Sequence, residues 1–138
     1  MYQKIFLAGY LGRDPEVRYT PNGTAVCRFS VATSERWTDQ EGQAQDRTVW
    51  WQVSVWGKQG EAVSQYLKKG SQVVIEGRMD ADPESGGPRL WTARNGQARA
   101  SFEIVARSVQ LVGRRGGAVN LFEPRDQDIP PEAFLGGR

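Results

Sequence analysis

Between Thr48 and Gly57 the chain reads TVWWQVSVWG, and this segment constrains the fold more than any other. A β-strand sends successive side chains to opposite faces. Val49, Trp51, Val53 and Val55 then share one face and compose a core wall. Trp50, Gln52, Ser54 and Trp56 share the other face. That second set is polar with a tryptophan at each end, a poor composition for burial.

Short apolar runs separated by turn signals continue through residues 1–112, which argues an all-β module. Ile5, Leu7, Gly9 and Leu11 alternate with Phe6, Ala8 and Tyr10, so the first strand is apolar on both faces and suits a subunit contact. Pro21-Asn22-Gly23 predicts a tight turn before a second strand over Thr24–Ser34, with Cys27, Phe29 and Val31 inward and Arg28 and Ser30 outward. Residues 37–47 are polar and read as a hairpin loop before the tryptophan-rich third strand. One helix is predicted over Gly60–Lys69, where Ala62, Val63, Tyr66 and Leu67 recur at helical spacing, Lys68 and Lys69 close the last turn and Gly70 caps it. A fourth strand follows over Ser71–Met79. Residues 80–100 predict an excursion holding a small hairpin around Asn95-Gly96, and the fifth strand starts at Ser101. Its inward set Phe102, Ile104, Ala106 changes phase toward Val109 and Leu111, as a bulge would require. Residues 113–138 lose all periodicity and read as a second, flexible region. Five strands with a helix between the third and fourth is the order of the OB fold, a five-stranded Greek-key barrel.

Composition removes several functions. The 138 residues contain no histidine and one cysteine, Cys27. An intrachain disulfide, a zinc site of His and Cys, and histidine-based general base chemistry are therefore all excluded. Cys27 reads as a small core residue. A net charge of +2 excludes a polybasic mechanism. No run resembles a signal peptide or a membrane span, so a reducing, cytoplasmic location is expected. Asp14-Pro15-Glu16 and Asp82-Pro83-Glu84 read as turn chemistry, so no metal is expected, nor any cofactor. No nucleophile lies beside a base in the sequence, and the chain does not read as an enzyme.

What remains is five tryptophans, with fourteen arginines among the 18 basic residues. Trp37, Trp50, Trp56 and Trp91 are flanked by cations or polar groups, among them Arg36, Lys58 and Arg89. Arg18, Arg28, Arg78 and Lys69 are further candidate phosphate contacts. Aromatics interleaved with cations suit single-stranded nucleic acid: each base offers a π-face worth about 1–3 kcal/mol on stacking, while cations track phosphates. Trp51, grouped with Val53 and Val55, belongs to the core instead. An RNA-binding module, and a barrel kept for docking proteins, stay open on these residues alone.

The segments LAGYLGRDPEVRYTPNGTAVCRFSVATSE, WWQVSVWGK and YLKKGSQVVIEGR resemble the bacterial single-stranded DNA-binding protein family, in order, over residues 3–112. The resemblance implies an OB-fold homotetramer that coats and protects single-stranded DNA in replication, recombination and repair, in the bacterial nucleoid. It implies base stacking on Trp37, Trp50, Trp56 and Trp91. The family's acidic tip, which docks replication and repair proteins, is similar to Asp126-Gln127-Asp128-Ile129-Pro130. Here Pro131 stands where the family has phenylalanine, and the nearest aromatic is Phe134. Partner binding through Asp126, Asp128, Ile129, Pro130 and Phe134 is therefore an expectation carried by the resemblance.

Overall fold

The computed structural model describes residues 2–112. In chain order it has β1 (Ile5–Leu11), β2 (Glu16–Tyr19), β3 (Ala25–Thr38), β4 (Ala44–Trp56), α1 (Gly57–Tyr66), β5 (Gln72–Met79), β6 (Arg89–Thr92) and β7 (Ala98–Leu111). The sheet runs β1-β5-β7-β4-β3-β2, and a further pairing of β1 with β3 closes it. The closing register sets Tyr10 opposite Ala32 and Leu11 opposite Val31. Strands β1, β3, β4, β5 and β7 form the barrel, with α1 between the third and fourth of them, as the sequence predicts. The residues of the expected tail, Asp126, Asp128, Ile129, Pro130 and Phe134, lie outside the described residues.

The inward positions of five strands and one helix supply the core. Cys27, Phe29, Val31, Val53, Val55, Val73, Ile75 and Ile104 are fully buried, joined by Leu7, Leu11, Ala106 and Val109. Val63 and Leu67 close one end of the barrel from α1 and the residue after it. Each large side chain so buried contributes roughly 1.5–3 kcal/mol against exposure. Burial in apolar surroundings pushes the Cys27 thiol up to about 11.

Several boundaries differ from the sequence reading. β3 runs to Thr38, and β4 begins at Ala44, so the loop shrinks to the tip around Asp39–Gln43. Pairing, not hydrophobicity, extends the ribbon: Glu35 faces Arg47 and Trp37 faces Gln45 in an unbroken ladder. Asp39 closes the tip, its Oδ1 accepting from Glu41 N–H at 2.9 Å and Gln43 N–H at 2.8 Å. Those bonds, the one from Gln43 first, hold its carboxyl below the usual range. β2 is an additional short strand, joined to β3 by the predicted turn, where Gly23 adopts φ 85°.

The helix starts three residues earlier than expected, directly after β4, and ends at Tyr66. Ala62 and Tyr66 face solvent because Gly60, Val63 and Leu67 take the side against the barrel, and Lys68 and Lys69 fall in the following turn rather than the last helical turn. That turn is tied to the end of β1 and the loop after it: Gly70 N–H donates to Leu11 O at 2.9 Å, and Lys69 N–H to Asp14 Oδ1 at 2.8 Å. The small hairpin forms as β6 paired with β7. The phase change in β7 is a register shift opposite Glu76/Gly77. Phe102 stands on the inward phase but is 52% exposed, because β7 there projects past the barrel.

Candidate nucleic-acid interface

Strand register sorts the candidate residues onto faces. β3 and β4 pair Val26 with Trp56, Arg28 with Ser54, Ser30 with Gln52 and Ala32 with Trp50. These residues alternate with the inward set; Arg28, Trp50 and Trp56 reach solvent, while Ser30 and Ala32 are covered at 1% and 2% exposure. β7 continues the same face with Glu103 beside Gln52 and Val105 beside Ser54. Arg78 joins it opposite Val105. Arg18 joins opposite Val26, and Arg36 lies further out on β3, opposite Asp46. Trp50 and Trp56 are thus on one outward face as read from the alternation, about 20 Å apart at 3.4 Å per residue.

Beyond the Trp51–Phe102 pair, β4 and β7 separate. A cleft of about 380 Å³ opens between the β3–β4 ribbon and the β6–β7 hairpin, and both Trp50 and Trp91 line it. Arg99 adds positive charge to its wall, and Arg47 borders it with its guanidinium turned toward Trp37 and Glu35. Trp91 Nε1 donates to Ser101 Oγ at 2.7 Å, which fixes the indole plane. A slot edged by three indoles, Trp50, Trp51 and Trp91, with Arg99 at its wall can hold a flat ring beside an anion.

The remaining candidates lie elsewhere. Trp37 is not in a loop but in β3, on the phase of Val31 and Thr33, so it faces the opposite side of the ribbon from Trp50. It is 39% exposed, and the Arg47 guanidinium carbon lies 5.1 Å from its ring centroid. Lys58 is exposed in the first turn of α1, directly after Trp56, which is itself 48% exposed. Lys69 is in the turn beside the end of β1 and does not join the outward face. Trp51 is half-buried against the core, with Nε1 donating to Thr33 Oγ1 at 2.9 Å and its ring 5.5 Å from that of Phe102.

Two arginines on the face share a buried acid. Glu103 is 3% exposed; its Oε1 accepts from Arg89 Nε at 3.3 Å and lies 3.9 Å from Arg28 Nη2. Arg89 Nη2 also reaches Asp80 Oδ2 at 3.4 Å. Arg18 pairs with Glu16 at 3.6 Å in the open, a contact worth little. Arg47 is among the cations that flank the tryptophans in the sequence, whereas sequence reasoning passed over Glu103 and Arg99. The period-two run Arg99, Ser101, Glu103 beside the apolar Phe102, Ile104 was the available signal. Asp82 does make a turn, its Oδ1 accepting from Glu84 N–H at 3.0 Å. No group of three or more His, Cys, Asp or Glu among the described residues could hold a metal ion, and no described helix is long and apolar enough to cross a membrane.

A model of the single-strand binding protein family matches residues 2–112. Single-stranded DNA-binding proteins from Neisseria meningitidis serogroup A and serogroup B are each 46% identical over 119 residues, which is 83% of this chain and 64% of theirs. The match thus spans less than two-thirds of the length of these curated relatives. Among solved structures, a deletion mutant of the single-stranded DNA binding protein from Thermus aquaticus superimposes with a TM-score of 0.64 at 27% identity, covering 82% of this chain and 51% of that one. A Plasmodium falciparum SSB complex with ssDNA gives 0.66 at 25% identity, over 82% and 97%.

Proposed function

The chain belongs to the single-strand binding protein family, and we propose that it coats single-stranded DNA of any sequence, without catalysis. The observation that carries this reading is the meeting of Trp50 and Trp91 at one cleft, with Trp56 further along the same outward face. Stacking on Trp50, Trp56 and Trp91 supplies about 1–3 kcal/mol per base and accepts any base, because every base has a π-face. Arg28, Arg78 and Arg89 on the face, Arg18 and Arg36 at its edges, and Lys58 beside Trp56 take phosphates. Trp37 stacks on the reverse of the ribbon, so a bound strand passes around the ribbon rather than along one side. Lys69 serves phosphate only if the strand continues to the turn after α1. Paired bases cannot reach the indoles without unstacking, so duplex binds weakly.

The same reading makes residues 1–112 the binding domain and 113–138 a region that docks replication and repair proteins. The homotetramer is supported by the outward side of β1 and β5, where Phe6 is 65% exposed and Ala8 lies opposite Val74. A DNA-coating role places the protein with the nucleoid in the cytoplasm. The test is titration with oligo-dT, following tryptophan fluorescence at low and high salt with duplex as competitor. Deep quenching that survives excess duplex and weakens with salt is the expected result. Absent quenching and absent binding would sink the reading and leave a barrel that docks proteins.

A further inference from the structure

We propose that Glu103 is a positioning residue for DNA binding: its carboxylate holds the Arg28 and Arg89 guanidinium groups in place on the outward face between Trp56 and Trp91. The inference rests on the single-stranded DNA reading given above.

A carboxylate at the centre of a surface that meets a polyanion is a puzzle on charge alone. Its own field repels phosphate. Its burial is also a cost to folding: Glu103 is 3% exposed, and its Oε2 has no hydrogen-bond partner among the described residues. Buried ion pairs seldom stabilise a fold more than an apolar replacement would, and an unsatisfied oxygen makes the balance worse. Neither solubility nor stability accounts for the residue.

Its neighbours do. Arg28 comes from β3, Arg89 from β6 and Glu103 from β7, so one carboxylate ties together three strands. Arg89 is held at two points, by Glu103 through Nε and by Asp80 through Nη2, which fixes the plane of the guanidinium. The two arginine side chains remain 19% and 24% exposed, open to an incoming phosphate from the solvent side. An arginine held beforehand loses less rotamer freedom when phosphate arrives than one sweeping freely. The flat sides of the slot are set by tryptophans, and the carboxylate sets where the phosphates between them can sit.

The charge puzzle supplies the test, because the two roles predict opposite signs. Replacing Glu103 with Gln removes a negative charge from the face. If the carboxylate does nothing for the arginines, Glu103→Gln binds oligo-dT as tightly or more tightly, with a salt slope unchanged or steeper. If it positions them, affinity falls although the net charge has risen. Each phosphate contact on a single strand contributes about 0.7 to the slope of log K against log salt, which amounts to about five-fold in affinity at 0.1 M relative to 1 M. Losing one or two contacts therefore gives a fall of about 5- to 25-fold and a slope shallower by about 0.7–1.4. The measurement is fluorescence titration of the full chain across a salt series, with thermal melting run on the same samples.

Arg89→Lys covers the case in which Glu103→Gln does not fold. It keeps the net charge and the buried acid but removes the planar fork that two carboxylates hold. The expected result is a loss of similar size; affinity equal to that of the parent overturns the proposal. Failure of the unmodified chain to bind oligo-dT overturns this inference and the parent reading together. Parent binding with tight binding by Glu103→Gln overturns this inference alone.

Discussion

Trp51→Ala and Trp56→Ala exchange the same side chain on one strand, and the fold predicts that they damage different properties. Trp51 is half-buried, packs against the barrel core, and donates Nε1 to Thr33 Oγ1 at 2.9 Å. Full burial of a tryptophan is worth about 3–5 kcal/mol on truncation, and a half-buried ring forfeits about half of that. The hydrogen bond adds about 1 kcal/mol, and the 5.5 Å ring contact with Phe102 about 0.5–1.5 kcal/mol. With overlap between these terms, Trp51→Ala costs about 2–4 kcal/mol, which lowers the melting temperature by about 8–16 °C for a folded body of this size. Trp56 is 48% exposed and opposite Val26, so its truncation costs under about 1 kcal/mol of stability. Its loss removes one stacked base instead, about 1–3 kcal/mol or roughly 5- to 150-fold in affinity. Thermal melting and oligo-dT titration on both variants separate the two outcomes. Trp51 also borders the cleft beside Trp50, so melting is the deciding readout: should Trp51→Ala melt normally, the assignment of faces along β4 is wrong.

Gly77→Ala should destabilise the barrel by about 1–3 kcal/mol, since a methyl there would lie 2.3 Å from Val105 O and 2.8 Å from Ile104 Cγ2; chemical denaturation measures it. The Cys27 thiol, raised from 9.0 to about 11, should resist alkylation at pH 8 until the protein unfolds, so labelling under native conditions at the rate of a free thiol would contradict its burial. The same shift makes the unfolded chain release a proton that the folded chain keeps. Stability is therefore unaffected below pH 9 and falls between pH 9 and 11 by up to about 1.4 kcal/mol per pH unit, a slope that Cys27→Ala should abolish. Asp39→Ala should fray the ribbon tip, seen as faster amide exchange at Glu41 and Gln43, and the native tip should loosen in acid, because a depressed carboxyl gives up its contribution as it protonates.

Local alternation in the sequence already determined the two faces of β4, the inward set of β3, the turn at Pro21-Asn22-Gly23 and the hairpin at Asn95-Gly96. These follow from backbone geometry within a few residues, where side-chain period and turn chemistry act directly. Strand ends were less legible. The polar stretches on either side of Asp39 carry no core signal, yet they pair into a ribbon because each backbone group needs a partner. That extension moved Trp37 from an expected loop to the reverse side of the ribbon from Trp50.

Only the tertiary structure decided what the outward residues do together. Closing the barrel between β1 and β3, and seating β7 parallel to β4, brings Trp91 to the same cleft as Trp50 and places Glu103 between Arg28 and Arg89. The sequence names Trp50, Trp91, Arg28 and Arg89, and gives a face to Trp50 and Arg28 alone. Their distances depend on register between strands far apart in the chain, which is set by how the inward side chains pack. No local pattern encodes that choice.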